Sequence, residues 1–487
     1  MHRPAANLRR AVTVGGTRNT GEAETSVTRP DAGLDFPPAA LPWIEQVGGG
    51  PLASLTRMVV RREAWRGEIV APGGPRELFV RIDRASAAGK PYSRNLARET
   101  ALIRWLSANS AIPTQKILGW NDTHCVALQS FEPGRADLNN APREEQHAVM
   151  LHFMEILAEL HCIDAHALDL PGFEMPATPE EHSLLELRAV EDPRLARFSP
   201  DASSVLAAFG QRWLLNHVPH SVERTVLLQG DTGPGNFMFG NGRVTAVVDW
   251  EWAHYGDPME DIGNLWLRDF FTPSCNGDLT PYVRHYAERA GVTVDRQKAI
   301  YYFVHQLVRS VMTIPGLTRR PDWKSTVALN LGYQALCDIT CCQAIGLWHG
   351  LGEEAVEPLP IVDGSEAGEL YQTLAAQLEK GVMPEVNDPF AAAMAGGAAG
   401  MVRYLERLHL FGPQADALEL EGLQGLLGTR PGSLGSARRE MVSALHTLRS
   451  EDELPVLRHA WAVAQRNMQL MGPLVERWNW CRVPRLD

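Results

Sequence analysis

No run of about eighteen apolar residues occurs anywhere in this 487-residue chain, so no transmembrane helix is expected. Cysteine is scarce: seven in all, an odd number, with no CxxC pair. That spacing argues against a disulfide framework and against a cysteine-built zinc site. Cys337, Cys341 and Cys342 fall in an apolar helical segment, where buried thiols are expected, and a reducing, cytoplasmic setting fits. Positive charge is also short. Lys and Arg number 46 against 58 Asp and Glu, the net charge is −12, and no large basic stretch exists. Nucleic acid and an anionic membrane surface are therefore poor main partners. Acids are missing at the start of the chain, with none before Glu22 in an Arg-, Thr-, Ala- and Gly-rich stretch. An amphipathic pattern that would mark a transit peptide is hard to find there, so residues 1–37 read as a flexible tail.

What is present supports real cores: hydrophobic residues make up 45% of a chain long enough for two or three domains. Residues 38–132 read as strands plus one helix. Residues 133–357 are mostly helical, interrupted by a hairpin. Tyr282–Ala290, Ala299–Met312 and Ser325–Leu347 carry helical periodicity. Gly350–Gly364, with Pro358, Pro360 and several acids, reads as a linker. Residues 365–487 read as all-helical, so that 358–487 forms a linker and an appended helical domain. Its best periods are Glu366–Leu378, Ala391–Leu410, Arg438–Leu448 and Leu454–Met468.

The informative stretch is Leu228–Leu265, LQGDTGPGNFMFGNGRVTAVVDWEWAHYGDPMEDIGNL. Val226–Gln229 reads as a short strand, broken by Gly230 and the loop Thr232–Gly235. Phe237–Phe239 and Val244–Asp249 read as two further strands. Asn241-Gly242 between them is the strongest short hairpin signal, because both residues accept φ > 0. A two-residue turn there pairs Gly240 with Arg243 and, counting outward, Asn236 with Val247. Asp249 then shares the face of Val247, and a diagonal neighbour lies about 7–8 Å away. Two oxygen-bearing side chains at that separation can converge on one ion, and Mg²⁺ favours carboxylate, amide and phosphate oxygens. Asp231, on the loop before, is placed to accept a proton from a hydroxyl. Asp, Asn and Gly are also ordinary turn formers. The register, and the tail Gly256-Asp257-Pro258 with Asp261 opening an apolar helix, favour a site.

These residues resemble the aminoglycoside phosphotransferase/choline kinase-like family. The resemblance implies an α+β, bilobal protein-kinase-like fold, with a small β-rich lobe and a large helical one. It implies that Asp231 is the catalytic base, that Asn236 and Asp249 are magnesium ligands, and that Asp261 braces the catalytic loop. Gln229 stands where the family has His, a structural support. More weakly, Val47–Pro51 with Ser54–Thr56 and Arg57–Arg61 resembles the Gly-rich strand-turn-strand over a nucleotide, with Gly49, Gly50 and Ser54 as contacts. Glu77–Arg81 resembles the strand that carries a phosphate-binding Lys, here Arg81, and Glu99 matches its acidic partner. Arg is always charged and grips phosphate in a planar fork, so the exchange is tolerable. Leu128–Gly134, with Gln129 and Phe131, resembles the hinge that meets a purine edge. His161 matches a helix end and is expected to pack. Trp266, Arg268, Asp269, Tyr301, His305 and Arg309 are candidates for an acceptor pocket.

The reading is a phosphotransferase that moves the γ-phosphate of Mg²⁺-ATP or Mg²⁺-GTP to a hydroxyl of a small molecule, in a chain with homodimerisation open. Family members act on aminoglycosides, macrolides, choline, homoserine, methylthioribose and hydroxyacyl-CoA thioesters. The Gln229–Glu251 pattern with Arg81 looks most similar to the phosphotransferase-like domain of certain acyl-CoA dehydrogenases, which favours a metabolite. An antibiotic phosphotransferase and a non-catalytic nucleotide-binding pseudokinase are the alternatives. A metal hydrolase using Asp231 and Asp249 leaves Arg81 and Glu99 unexplained.

Overall fold

The computed structural model describes residues 36–58, 63–89, 95–190, 204–319, 321, 326–352, 358–359, 366–478 and 481–487. The small lobe is a five-stranded sheet. Its strands are β1 (Leu52–Arg57), β2 (Ala64–Ala71), β3 (Gly74–Ile82), β4 (Ile117–Asn121) and β5 (Val126–Ser130). They lie in the order β1-β2-β3-β5-β4, each pair antiparallel. Side chains alternate across a pleated strand. Trp65, Ile69, Leu78, Val80 and Leu128 therefore fill one face, covered by α1 (Leu41–Gly48) through Ile44. Phe79 and Arg81 fall on the other face, which opens on the interlobe cleft.

Helix α1 corrects the expected Gly-rich strand-turn-strand. Its last turn consumes Val47-Gly48, and Gly49 caps it at φ 85 in the left-handed region that glycine enters freely. Gly50 is needed for another reason: a Cβ there would lie 2.1 Å from the carbonyl oxygen of Val70. Two further helices complete this part, the short α2 (Arg84–Ala87) and α3 (Leu96–Asn109). Asn95 caps α3 by accepting the backbone N–H of Arg98.

The large lobe is built from α4 (Arg143–His161), α5 (Pro179–Val190), α6 (Val205–Asn216), α7 (Pro258–Phe271), α8 (Thr280–Ala290), α9 (Arg296–Arg319) and α10 (Val327–Trp348). Between α6 and α7 lie β6 (Val226–Leu228) paired with β9 (His254–Gly256), and the hairpin β7 (Phe237–Gly240) with β8 (Arg243–Val247). Asp257 caps α7 by accepting the N–H of Met259, with Pro258 at its first position.

The C-terminal region is helical: α11 (Glu366–Ala376), α12 (Pro389–Leu427), α13 (Leu434–Leu445) and α14 (Glu453–Val475). It shares one hydrophobic core with the large lobe, from Phe153 and Trp213 through Ile345 to Leu457 and Trp461. The expected linker falls largely outside the described residues, as do the residues before Phe36.

Candidate active site

The loop between β6 and β7 carries Asp231 and Asn236, and a glycine and two side chains fix its shape. Gly230 adopts φ 81, where a Cβ would sit 2.1 Å from the carbonyl oxygen of Trp252, so only glycine fits. Asp261, in the first turn of α7, accepts the N–H of Gln229 and of Gly230, both at 2.9 Å. It also meets Nε2 of His161 at 3.1 Å, which makes His161 a buried support. The Gln229 side chain closes the set. Its Oε1 accepts the N–H of Asp231 at 2.8 Å, and its Nε2 donates to the carbonyls of Val248 and Asp249 at 3.2 and 3.0 Å. Donor and acceptor lie on one planar amide, so this single side chain ties the Asp231 N–H to the carbonyls of Val248 and Asp249.

The hairpin turn is at Asn241-Gly242, with φ of 53 and 73, and Gly240 faces Arg243. The register beyond it differs from the simple count. Thr245 is an extra residue in a bulge, so that Phe237, and not Asn236, faces Val247. The cause is outside the hairpin. Arg135 exchanges both backbone hydrogen bonds with Phe239, at 2.9 and 2.8 Å, and the Thr245 hydroxyl donates to Pro133 O at 3.1 Å. Asn236 O instead accepts the N–H of Val248 at 2.9 Å, beside Asp249. Asp249 holds φ 58 and ψ 60, a strained backbone for a residue with a Cβ and one found where a site over-determines it.

Asn236, Asp249 and Arg81 line one cleft of about 280 Å³, together with Phe79, Ser130 and Phe131. Nη1 of Arg81 pairs with Glu99 Oε1 at 2.9 Å, and its Nη2 lies 3.8 Å from Glu251 Oε2. Both carboxylates are buried, so the guanidinium is pinned on the cleft wall. Glu251 was not expected from the sequence; it is buried in the 3-10 turn Trp250–Trp252 after Asp249, within reach of Arg81. Arg98 was missed as well. From α3 it donates to Gly172 O at 2.9 Å and contacts the carbonyls of Glu251 and Ala253, tying the helix of the small lobe to the segment after Asp249. Burial pulls its pKa down to about 10.

Other expected contacts move. Gly49, Gly50 and Ser54 do not line the cleft. Ser54 is exposed and faces Glu68, four residues along β2 from the cleft residue Ala64, a distance of about 13 Å at 3.3 Å per residue. The β1–β2 connection meets the cleft through Met58 and Ala64, and residues 59–62 lie outside the described ones. Gln129 is buried, its backbone spent on pairing with Phe79 and Ile117. The part of this segment that lines the cleft is Ser130–Glu132, with Arg66 over the Phe131 ring at 4.9 Å.

The six acceptor-pocket candidates divide. Trp266 donates to Pro484 O at 2.7 Å, Asp269 accepts from Ser274 and Cys275 at 2.8 and 3.0 Å, and Tyr301 donates to Leu214 O at 3.4 Å. All three are buried packing residues. Arg268 reaches the loop that carries Asp231 and Asn236. His305 and Arg309 join a buried cluster with Glu260 and His254, where Nε2 of His254 is 3.2 Å from Glu260 Oε2. Burial alone would raise the Glu260 pKa; His254, His305 and Arg309 outweigh it and hold the group at about 2. Burial brings His305 down to about 4, a neutral imidazole at neutral pH. Arg309 stacks on the Trp252 ring at 3.9 Å, just behind Gly230.

Among the described residues no group of three His, Cys, Asp or Glu side chains could hold a metal. One carboxylate and one amide oxygen in a cleft beside a guanidinium fit an ion that takes its remaining oxygens from phosphate and water, as Mg²⁺ does.

Residues 68–299 match the model of the phosphotransferase enzyme family. Acyl-CoA dehydrogenase family member 11 of Rattus norvegicus is 28% identical over 131 residues, 26% of this chain. That match spans only 16% of the relative's length. Hygromycin-B 4-O-kinase of Escherichia coli is 24% identical over 218 residues, 42% of this chain and 62% of the relative. A solved ternary complex of a thermostable mutant aminoglycoside phosphotransferase with AMP-PNP and hygromycin B has 17% identity and a TM-score of 0.46, over 63% of this chain and 98% of that one.

Proposed function

We propose that this chain, whose residues 68–299 match the model of the phosphotransferase enzyme family, transfers the terminal phosphoryl group of ATP or GTP to a hydroxyl of a small molecule. One observation carries the reading: Arg81, Asn236 and Asp249 line a single cleft, with Asp231 on the loop that carries Asn236. The hinge Ser130–Glu132 offers backbone edges to a purine. Arg81, fixed by Glu99, binds the phosphates. Asn236 and Asp249 would hold Mg²⁺, which when bound neutralises charge on the transferring phosphoryl group. Asp231 orients the acceptor hydroxyl and takes its proton as the oxygen attacks. Positioning and charge neutralisation supply most of the rate in such transfers.

The acceptor is proposed to be a metabolite, with a hydroxyacyl-CoA thioester as the first class to test and a hydroxylated aminoglycoside as the second. The two curated relatives motivate the pair. The test is phosphorylation across a panel of hydroxyacyl-CoAs, aminoglycosides, choline-like amines and sugars. Each is offered with Mg²⁺-ATP and Mg²⁺-GTP, and Asp231→Ala serves as control. A phosphorylated product that the variant fails to make supports the reading and names the acceptor class. Failure of the wild-type chain to bind either nucleotide sinks it, because Arg81, Asn236 and Asp249 would then have no phosphate to hold.

A further inference from the structure

The catalytic loop is shaped around a cation that the chain itself supplies. Arg268, in the third turn of α7, reaches back across the loop. Its Nε and Nη2 donate to Pro234 O at 3.1 and 2.9 Å, and Nη2 also reaches Asn236 Oδ1 at 3.3 Å. Its Nη1 stands 3.8 Å from Asp231 Oδ2. Two glycines make this approach possible. A Cβ on Gly233 would lie 2.7 Å from the Arg268 Cβ, and one on Gly235 would lie 2.4 Å from its Nη2. Both have positive φ, at 136 and 93. The spacing Asp231-Thr232-Gly233-Pro234-Gly235-Asn236 is therefore what lets one guanidinium touch the base and the amide oxygen together.

We propose that Arg268 is a positioning residue that occupies the cation's place on the loop, holding Asp231 and Asn236 in register until a metal–nucleotide takes Asn236 Oδ1 from it. The inference rests on the phosphotransferase reading. Its physical basis is competition. Asn236 Oδ1 has lone pairs for two partners, but a guanidinium and a divalent ion sharing one oxygen repel across a few ångströms. Metal binding then costs the Arg268–Asn236 hydrogen bond. The bonds to Pro234 O and the proximity to Asp231 remain, so the loop keeps its shape while the amide changes partner. Arg268 thus ties the readiness of the base to the arrival of the metal–nucleotide.

The experiment is a Mn²⁺ titration followed by electron paramagnetic resonance, with the full chain saturated in AMP-PNP. Arg268→Met removes the competing cation and keeps an apolar stem against Gly233. Its Mn²⁺ dissociation constant should fall about tenfold, the scale of one charge-assisted hydrogen bond. Arg268→Lys keeps a charge near Asp231 but loses the fork, and should tighten Mn²⁺ by about threefold; it answers the question if the Met variant does not fold. Turnover should move the opposite way, with kcat falling as Asp231 loses the guanidinium beside it while half-saturation by metal improves. A residue that merely supports the loop would weaken Mn²⁺ binding when removed. Unchanged or weaker binding in a folded variant overturns the inference and leaves the phosphotransferase reading standing. No Mn²⁺ binding by the wild-type chain, or binding indifferent to Asn236→Ala, overturns both.

Discussion

Asp231 and His305 show how burial and neighbours set the work of single side chains. Asp231 is half-buried on a loop whose backbone is held by Gln229 and Asp261, so replacing its carboxylate should leave the loop in place. Asp231→Asn is expected to lose about 10²–10⁴-fold in turnover, the range of one general base, with the nucleotide dissociation constant within about twofold of wild type. Steady-state kinetics beside calorimetric nucleotide binding checks both; retained turnover would place the base elsewhere. His305 bears on stability. Its folded pKa, about 4, lies below the ordinary value of 6.5 because burial disfavours the charged ring and Arg309 and His254 add to that, against Glu260. The sign follows. The contribution is complete above pH 6.5 and is lost as pH falls through 4, since the unfolded chain takes up the proton first. Between pH 8 and pH 5 this amounts to about 2 kcal/mol. Urea denaturation should show His305→Asn losing that much less stability over the same interval. Equal losses in both proteins would put the pH response on another group. Glu260 acts lower, between its ordinary 4.5 and its folded value of about 2, so the two windows separate.

At the scale of elements, what could be read from sequence was what local chemistry decides. The turn at Asn241-Gly242 follows from two residues that tolerate positive φ. The strand ending near Arg81 and the helix around Glu99 followed from short-range pattern, and the pairing of those two residues from a family resemblance. The bulge at Thr245 was not legible, because its cause is the chain near Arg135, over a hundred residues away. Helix α1 was missed because Gly48-Gly49-Gly50 reads equally as a helix C-cap and as a phosphate loop, and packing against Ile69 and Leu78 decides between them. Arg98 was hidden for the same reason, and Arg268, singled out for an acceptor pocket, was given the wrong neighbours: each acts on carbonyls distant in sequence. The segment Leu228–Gly230 offers an element-scale test. Gly230→Ala puts a Cβ against the Trp252 carbonyl at a φ that disfavours it, and should cost about 3 kcal/mol or more by chemical denaturation. Gly425→Ala, on the open side of α12 with nothing near its Cβ position, should stabilise by up to about 1 kcal/mol. Similar values for the two would mean that the catalytic loop relaxes around the added methyl.

For the whole molecule, the question is whether the C-terminal helices are a passenger or part of the catalytic lobe. The contacts favour the second. Gly332 and Gly346 on α10 admit Trp478 and Trp461, where added Cβ atoms would come within 2.4 and 2.7 Å of the indole rings. Glu453, buried at the start of α14, accepts from Asn216 at 2.8 Å and meets His217 and His349, at the ends of α6 and α10, at 2.9 and 3.5 Å. Burial alone would raise its pKa; those three partners hold it at about 2. Beyond α14 the chain returns to the lobe, where Arg485 donates its N–H to Gly277 O at 2.8 Å and Pro484 O accepts from Trp266. Ending the chain at Gly352 would uncover the apolar face of a 22-residue helix. At about 25 cal/mol per Å², several hundred Å² of newly exposed apolar surface cost on the order of 10 kcal/mol, comparable with the whole stability of a domain. A chain of residues 1–352 is therefore expected to be aggregated or unfolded, lacking a cooperative thermal transition. Glu453→Gln in the full chain should weaken only the junction, by about 2–3 kcal/mol, the cost of taking a charge from buried hydrogen-bond donors, with the nucleotide KM unchanged. If residues 1–352 instead fold cooperatively and bind nucleotide, the helices after α10 are an appended module and their shared core is incidental to the cleft.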